Sequence, residues 1–370
     1  MGAKLNGQVE GQMTSDLERP LAPGGDAYGT HRVVDPPGGL PQQALRLDND
    51  FTRIFEGEVL VSAETLSIDA ASFAQIEQAA SRAEGSLESQ IAHTILRTVG
   101  DRGKQHNQVT GSGGMLLGRV LQIAPGRPGE RLAVGDRIAT LVSLTLTPLR
   151  IDRVRAVRRA SAQVDIDGEA VFFASSAYAQ LPDDIPERLA LAALDVAGAA
   201  PQVARFVKQR DVVVVLGAGG KSGVLCVAEA RRCGGAAACI VGVEASARAA
   251  DDLHALGGCD AVLVADARDS VGVRRAVLRA TNGREADVTF SCVNIPDAEA
   301  AAILSTRDRG IVYFFAMSTS FTKAALGAEG VGKDVDLFIG NGFAHGHAEH
   351  TLAMLREMPQ LRALFERRYG

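Results

Sequence analysis

The 370-residue chain contains no tryptophan, and aromatic residues make up 5% of it. Large rings therefore cannot dominate its cores, which must be packed from alanine, valine and leucine. A basic surface is missing too: the formal net charge is −5 and the pI is near 5.9, which gives no bias toward nucleic acid. No run is long and apolar enough to be read as a membrane span. The segment Met1 to Asp26 is polar with scattered charges and lacks the apolar centre of a signal peptide. The start Met1-Gly2-Ala3-Lys4-Leu5-Asn6 lacks the hydroxyl residue of a myristoylation site. Residues 1–28 are expected to be a leader, disordered or loosely docked. The cysteines Cys226, Cys233, Cys239, Cys259 and Cys292 form no C-x-x-C pair. Buried reduced thiols in a cytoplasmic protein are expected, without a structural zinc.

Apolar residues are plentiful, at 46%, and the length suggests two domains. The most informative stretch is Gly217-Ala218-Gly219-Gly220-Lys221-Ser222-Gly223. It follows the apolar run Val212 to Leu216 and opens a segment of helical character, Val224 to Arg232. A strand that breaks at glycines and re-forms as a helix gathers backbone N–H groups at the positive end of the helix dipole, which suits a pyrophosphate. The spacing is G-x-x-G-x-x-G, with Ser222 where G-x-G-x-x-G would place a glycine. The Gly-Lys-Ser tripeptide also invites a P-loop reading, but that motif needs a glycine where Val215 stands. A glycine turn without a ligand is the remaining alternative. The run Cys239 to Val243 ends at Glu244, twenty-one residues after Gly223. A carboxylate there can accept hydrogen bonds from both hydroxyls of an adenosine ribose and would repel a 2′-phosphate. These features predict an NAD site, and with it a redox enzyme.

Strand-like sequence fills the first half. Glu58 to Ile68, Met115 to Ile123 and Arg137 to Leu146 read as strands, and Val164 to Ala174 as a hairpin turning at Asp167-Gly168. Leu87, Ile91, Ile95 and Val99 mark one helix face, which Gly100 can end. From Pro186 the pattern alternates. The runs Val212–Leu216, Cys239–Val243, Ala261–Val264, Asp287–Ser291 and Gly310–Phe315 read as buried parallel strands with helices between them. Val335–Gly340 reads as a further strand, and Glu349 to Arg368 as a helical tail. The expected organisation is a β-rich domain over 29–185, a Rossmann domain over 186–340, and a C-terminal segment 341–370 that packs back on the first domain.

A β-domain followed by a Rossmann domain resembles the medium-chain dehydrogenase/reductase superfamily, as does the turn Gly135-Asp136-Arg137-Ile138. Ser112 stands where a zinc-binding histidine is usual, and no catalytic cysteine is present, so no metal is predicted. Closer still, Gly29-Thr30-His31-Arg32-Val33-Val34, Gly39-Leu40-Pro41-Gln42 and Ile68-Asp69-Ala70-Ala71-Ser72-Phe73 resemble the L-erythro-3,5-diaminohexanoate dehydrogenase family. So do Thr110-Gly111-Ser112-Gly113-Gly114-Met115, Gly217–Leu225, and Gly340-Asn341-Gly342 with Gly346-His347-Ala348-Glu349. Pro36-Pro37 departs from the pattern, since relatives are expected to carry a lysine nearby. The resemblance implies an α/β fold, with a GroES-like β-barrel domain before a Rossmann doubly wound parallel sheet. It implies NAD-dependent oxidative deamination of a diamino acid at C3, in lysine degradation, by a homodimer. A zinc-free NAD(P)H-dependent enone or quinone reductase shares the fold, and a non-catalytic NAD-binding protein is a third reading.

Hydride can leave C3 only when the C3 amine is neutral, so a tuned base is expected near the nicotinamide, with a cation for the substrate carboxylate. Asp69 is the first candidate for ammonium recognition or base, with a helix N-cap as its alternative. Ser72 could orient water or an amine, or serve as a capping hydroxyl. Lys104 could bind the carboxylate and His106 could transfer protons, although a solvated loop explains both. His31 could be catalytic or could pin the first loop. Asn341, with His347 in the loop Gly340 to Gly346, could cover the nicotinamide or sit in a turn. Gly217, Gly219, Gly220, Lys221, Ser222, Gly223 and Glu244 are expected to bind the cofactor. Phe315 and Ala316, within Phe314–Met317 at the end of a strand, are expected near its nicotinamide.

Overall fold

A computed structural model describes residues 18–369, except 83, 108–110, 112, 127–131, 142, 317 and 341. The chain divides into two compact units, one ending at Leu181 and one beginning at Pro182.

The first unit is built on a six-stranded antiparallel sheet. Two short ladders flank it, the parallel pair β1 (Leu21–Ala22) with β4 (Ile54–Phe55) and the antiparallel pair β2 (Val33–Asp35) with β3 (Arg46–Leu47). The main strands are β5 (Val59–Ser67), β6 (Met115–Ile123), β7 (Arg137–Thr140), β8 (Leu149–Arg158), β9 (Gln163–Phe172) and β10 (Tyr178–Gln180). They lie in the order β10-β7-β6-β5-β9-β8. Residues 19–28 of the expected leader are docked. The Arg19 N–H donates to Gln122 Oε1 at 2.7 Å, and β1 pairs with β4.

The helix Leu87–Arg102 places Ile91, Ile95 and Val99 in the core, against Leu66, Ile166 and Phe172. Each fully buried aliphatic side chain of this kind contributes about 1.5–3 kcal/mol. Gly100 stays helical; the helix ends at Gly103, whose φ of 67° lets its N–H bond Val99 O at 2.8 Å. A side chain at 103 would also meet Leu47 O at 2.0 Å.

The expected hairpin at Asp167-Gly168 is instead one continuous strand, β9, between β5 and β8. Gly168 is there because the neighbouring backbone comes close: a Cβ would lie 2.2 Å from Arg150 O. The partner strand β8 escapes notice in the sequence because arginines interrupt its apolar pattern. Those arginines pair across to β9, Arg150 with Glu169 at 2.8 Å and Arg153 with Asp167 at 2.5 Å.

The second unit carries β11 (Val212–Leu216), β12 (Cys239–Glu244), β13 (Ala261–Val264), β14 (Ala286–Ser291), β15 (Thr306–Phe314) and β16 (Asp336–Ile339). All pairings are parallel, in the order β13-β12-β11-β14-β15-β16. This is the doubly wound arrangement that the alternating pattern predicts. Val212 to Leu216 are fully buried, as expected for a central strand covered on both faces. The chain leaves β11 toward β12 on one side and later returns to β14 on the other, which opens a crevice at the carboxyl ends of β11 and β14.

The single helical tail is two helices, His347–Glu357 and Pro359–Tyr369. They are broken where proline cannot donate the next hydrogen bond. The tail does not belong to the first unit, as the sequence suggested. It is tied into the second by Thr351 Oγ1 donating to Ala197 O at 2.9 Å and by Arg356 on Asp184 at 2.6 Å. Among the described residues no single helix is long and apolar enough to cross a membrane.

Candidate active site

The glycine-rich loop sits at the carboxyl end of β11. Gly217 turns the chain with a φ of 70°, and the N–H groups of Gly217 and Ala218 both donate to Val243 O, at 2.9 and 3.1 Å. Gly220 is the N-cap of the helix Lys221–Gly234, and no side chain caps that helix. The N–H groups of its first turn, from Lys221, Ser222 and Gly223, therefore have no capping side chain and are available to an anion. Gly223 is needed for close packing of helix on loop: a Cβ there would lie 2.2 Å from Gly217 O. The loop thus fits the pyrophosphate of a dinucleotide.

Glu244 ends β12 beside the loop. Its Oε2 accepts the Gly219 N–H at 3.0 Å, and its Oε1 accepts those of Ala245 and Ser246 at 2.9 and 3.2 Å. Three backbone donors fix a half-buried carboxylate at the expected ribose position. Lys221 turns elsewhere. Its Nζ pairs with Asp195 at 2.7 Å and lies 5.4 Å from the Tyr369 ring, so its charge is already engaged. Phe315 and Ala316 follow β15 at the carboxyl edge of the sheet, where the Phe315 N–H donates to Ser291 O at 2.9 Å. Ser318 Oγ donates to Val293 O at 3.3 Å, so the segments after β14 and β15 adjoin.

In the first unit a polar cluster forms where β5 gives way to the helix Ala70–Ala80. Asp69 is the N-cap of that helix: its Oδ1 accepts the Ser72 N–H at 2.9 Å. Its other oxygen, Oδ2, is buried without a hydrogen-bond partner. Capping and chemistry are therefore compatible, one oxygen each. Asn107 Nδ2 donates to Ser72 Oγ at 2.9 Å, which brings the segment after the second helix to the same place. Gly114 packs on it as well, since a Cβ there would lie 2.9 Å from the Asp69 nitrogen. His106 has a buried Nδ1 without a partner. Burial, then the nearby charges of Lys104 and Arg102, holds its pKa below the ordinary value, which favours the neutral ring.

Lys104 is not a solvated loop residue. It is fully buried, and its Nζ donates to Pro41 O at 2.6 Å and Gln42 O at 3.2 Å. Burial, with a smaller contribution from the Arg102 charge, lowers its pKa to about 8. Its ammonium anchors a loop rather than a substrate carboxylate. His31 is likewise engaged. Its Nε2 lies 2.8 Å from Glu58 Oε1, and its Nδ1 accepts the Asp26 N–H at 3.1 Å. Arg32 completes this network through two bonds of 2.8 Å to Glu58. Burial opposes the Glu58 charge, but the hydrogen bonds from Arg32 and His31 outweigh it and hold the carboxyl below its usual range. His31 therefore pins the first loop.

Asn341, Ser112, Thr110 and Met317 lie outside the described residues. His347 is buried, with its Nδ1 2.6 Å from Ala344 O, whereas His350 faces Glu229 at 3.2 Å and His345 packs on Phe343. The sequence reading missed Asp195, Asp252, Glu58 and Arg368. Each acts through a partner remote in the chain, so no local motif marks it.

A family model described as the L-erythro-3,5-diaminohexanoate dehydrogenase N-terminal domain matches residues 31–182. A protein of Acetoanaerobium sticklandii named L-erythro-3,5-diaminohexanoate dehydrogenase is 50% identical over 346 residues, covering 93% of this chain and 99% of that protein. Its namesake from Fusobacterium nucleatum is 47% identical, with the same coverage. Among solved structures, a mycobacterial protein complexed with NADPH aligns with a TM-score of 0.53 and 17% identity, covering 83% of this chain and 87% of that one. The CurK enoyl reductase aligns at 0.51 and 13%, covering 85% and 82%. The two structural likenesses show the fold alone; the sequence matches over nearly the full length establish more, and the chain belongs to the L-erythro-3,5-diaminohexanoate dehydrogenase family.

Proposed function

We propose that the protein oxidises L-erythro-3,5-diaminohexanoate at C3, using NAD and water and releasing 5-amino-3-oxohexanoate, ammonia and NADH. The observation that carries the substrate is the near-full-length identity to two dehydrogenases named for it. Bound at the glycine loop, NAD supplies the acceptor for the C3 hydride. Glu244 supports NAD over NADP, because a carboxylate held by three backbone donors would accept the ribose hydroxyls and repel a 2′-phosphate.

The C3 ammonium must lose a proton before its lone pair can expel hydride. Asp69 Oδ2, buried and unpartnered, suits that proton and first attracts the cation. The neighbouring Asp69 Oδ1, fixed by the Ser72 N–H, keeps the carboxylate from rotating away. The resulting iminium takes up water, whose proton the neutral His106 ring can accept, and collapse of the adduct releases ammonia. Ser72 and Asn107, bonded to each other, orient the groups around Asp69. An equimolar release of NADH and ammonia from the diamino acid tests the reading. NADH formation from the corresponding 3-hydroxy acid, but not from the amine, would overturn it.

A further inference from the structure

The C-terminal turn reaches the glycine loop, 149 residues away in sequence. Arg368 Nη1 donates to Gly219 O at 2.6 Å, while its Nε holds Asp252 on the helix Ala247–Leu256 at 2.9 Å. Arg367 also pairs with Asp252. Burial opposes the Asp252 charge, but the arginine hydrogen bonds outweigh it and hold the carboxyl below its usual range. Tyr369 lies over the Lys221 ammonium. Gly219 is thus gripped on both sides: its N–H by Glu244, its carbonyl by Arg368.

Gly219 has no side chain of its own, and none would fit. A Cβ at 219 would lie 2.7 Å from Ala249 Cβ and 2.9 Å from Glu244 Oε2. A glycine peptide that is not held can flip. A flip of the 219–220 peptide would turn a carbonyl oxygen toward the space that suits phosphate and would remove the N–H bond that Gly220 makes to Gly217 O at 3.0 Å.

We propose that Arg368 is a positioning residue of the dinucleotide site: it holds the Gly219 carbonyl away from the pyrophosphate and so sets cofactor affinity from the C-terminal helix. The proposal rests on the dinucleotide reading of the loop. Its test is calorimetric titration of the full-length protein with NADH, alongside initial rates with the diamino acid. Arg368→Ala weakens NADH binding about tenfold, the worth of one hydrogen bond from a charged donor. It raises KM for NAD in parallel, and kcat at saturating NAD stays within about twofold. Arg368→Lys, which can still reach the carbonyl, recovers part of the loss. Arg362→Ala, which removes an exposed ion pair with Glu366 on the same helix, binds NADH as the unchanged protein does. If Arg368→Ala proves unfolded, hydrogen exchange on the unchanged protein decides: saturating NADH slows exchange at Gly220 and at residues 367–369 together. Equal NADH affinity in folded Arg368→Ala, or exchange at 367–369 indifferent to NADH, overturns the clamp. Failure of the unchanged protein to bind NADH overturns the dinucleotide reading itself.

Discussion

Replacing Glu244 by glutamine isolates one charge at the proposed cofactor site. The glutamine side chain keeps the length and one acceptor oxygen, so the bond from Gly219 N–H at 3.0 Å or that from Ala245 N–H at 2.9 Å can survive. What disappears is the negative charge. Two unit charges 4 Å apart interact by about 1 kcal/mol in bulk water and about 4 kcal/mol at an effective dielectric near 20. Glu244 is half-buried and lies between these limits, and a phosphate monoester carries about −1.5 to −2. Removal of the repulsion is therefore worth about 2–4 kcal/mol, or about 30- to 1,000-fold in selectivity. The assay is kcat/KM for NAD and NADP, measured on both proteins at low ionic strength. Raising the salt shrinks the difference, since the screening length falls to about 8 Å at physiological strength. A glutamine variant whose NAD/NADP ratio stays within twofold would refute the electrostatic argument, as would an unchanged protein indifferent to the 2′-phosphate.

Asp69→Asn keeps a good helix cap but removes the proposed acceptor for the ammonium proton. Turnover should fall about 10²–10⁴-fold with little change in melting temperature; normal turnover removes Asp69 from the chemistry. Lys104 links stability to pH. Its folded pKa of about 8 lies below the ordinary 10.5, so between those values the unfolded chain binds more protons and stability rises with pH. Urea unfolding of the unchanged protein, compared with Lys104→Met, should show it gaining up to about 3 kcal/mol on the variant from pH 7.5 to 10.5; a flat difference contradicts the burial. Gly223→Ala forces a Cβ to within 2.2 Å of Gly217 O, which should cost about 1–3 kcal/mol of stability and abolish tight NADH binding. A stable, tightly binding alanine variant would show that the loop packs differently.

What the sequence reveals here depends on how local the physics is. The glycine loop and Glu244 are legible because a strand, a turn and a helix start occupy consecutive residues, and the groups proposed to bind are backbone N–H groups. The parallel strands are legible because each contains a short, mostly apolar run. Lys104 misleads because polarity along the chain says nothing of burial; its partners at 41 and 42 lie more than sixty residues away. His31 answers to Glu58, and Gly219 to Arg368. Asp167-Gly168 has the composition of a turn, yet the glycine is there for the close approach of Arg150 O. The strand β8 is hidden by arginines whose carboxylate partners sit on the neighbouring strand.

The central claim is hydride transfer from the amine-bearing C3 of a diamino acid to a nicotinamide. It is tested most directly with L-erythro-3,5-diaminohexanoate carrying deuterium at C3. The expected product is NADH bearing that deuterium at the nicotinamide C4, with one ammonia released per NADH. Unlabelled NADH, or ammonia released without NADH, would contradict it.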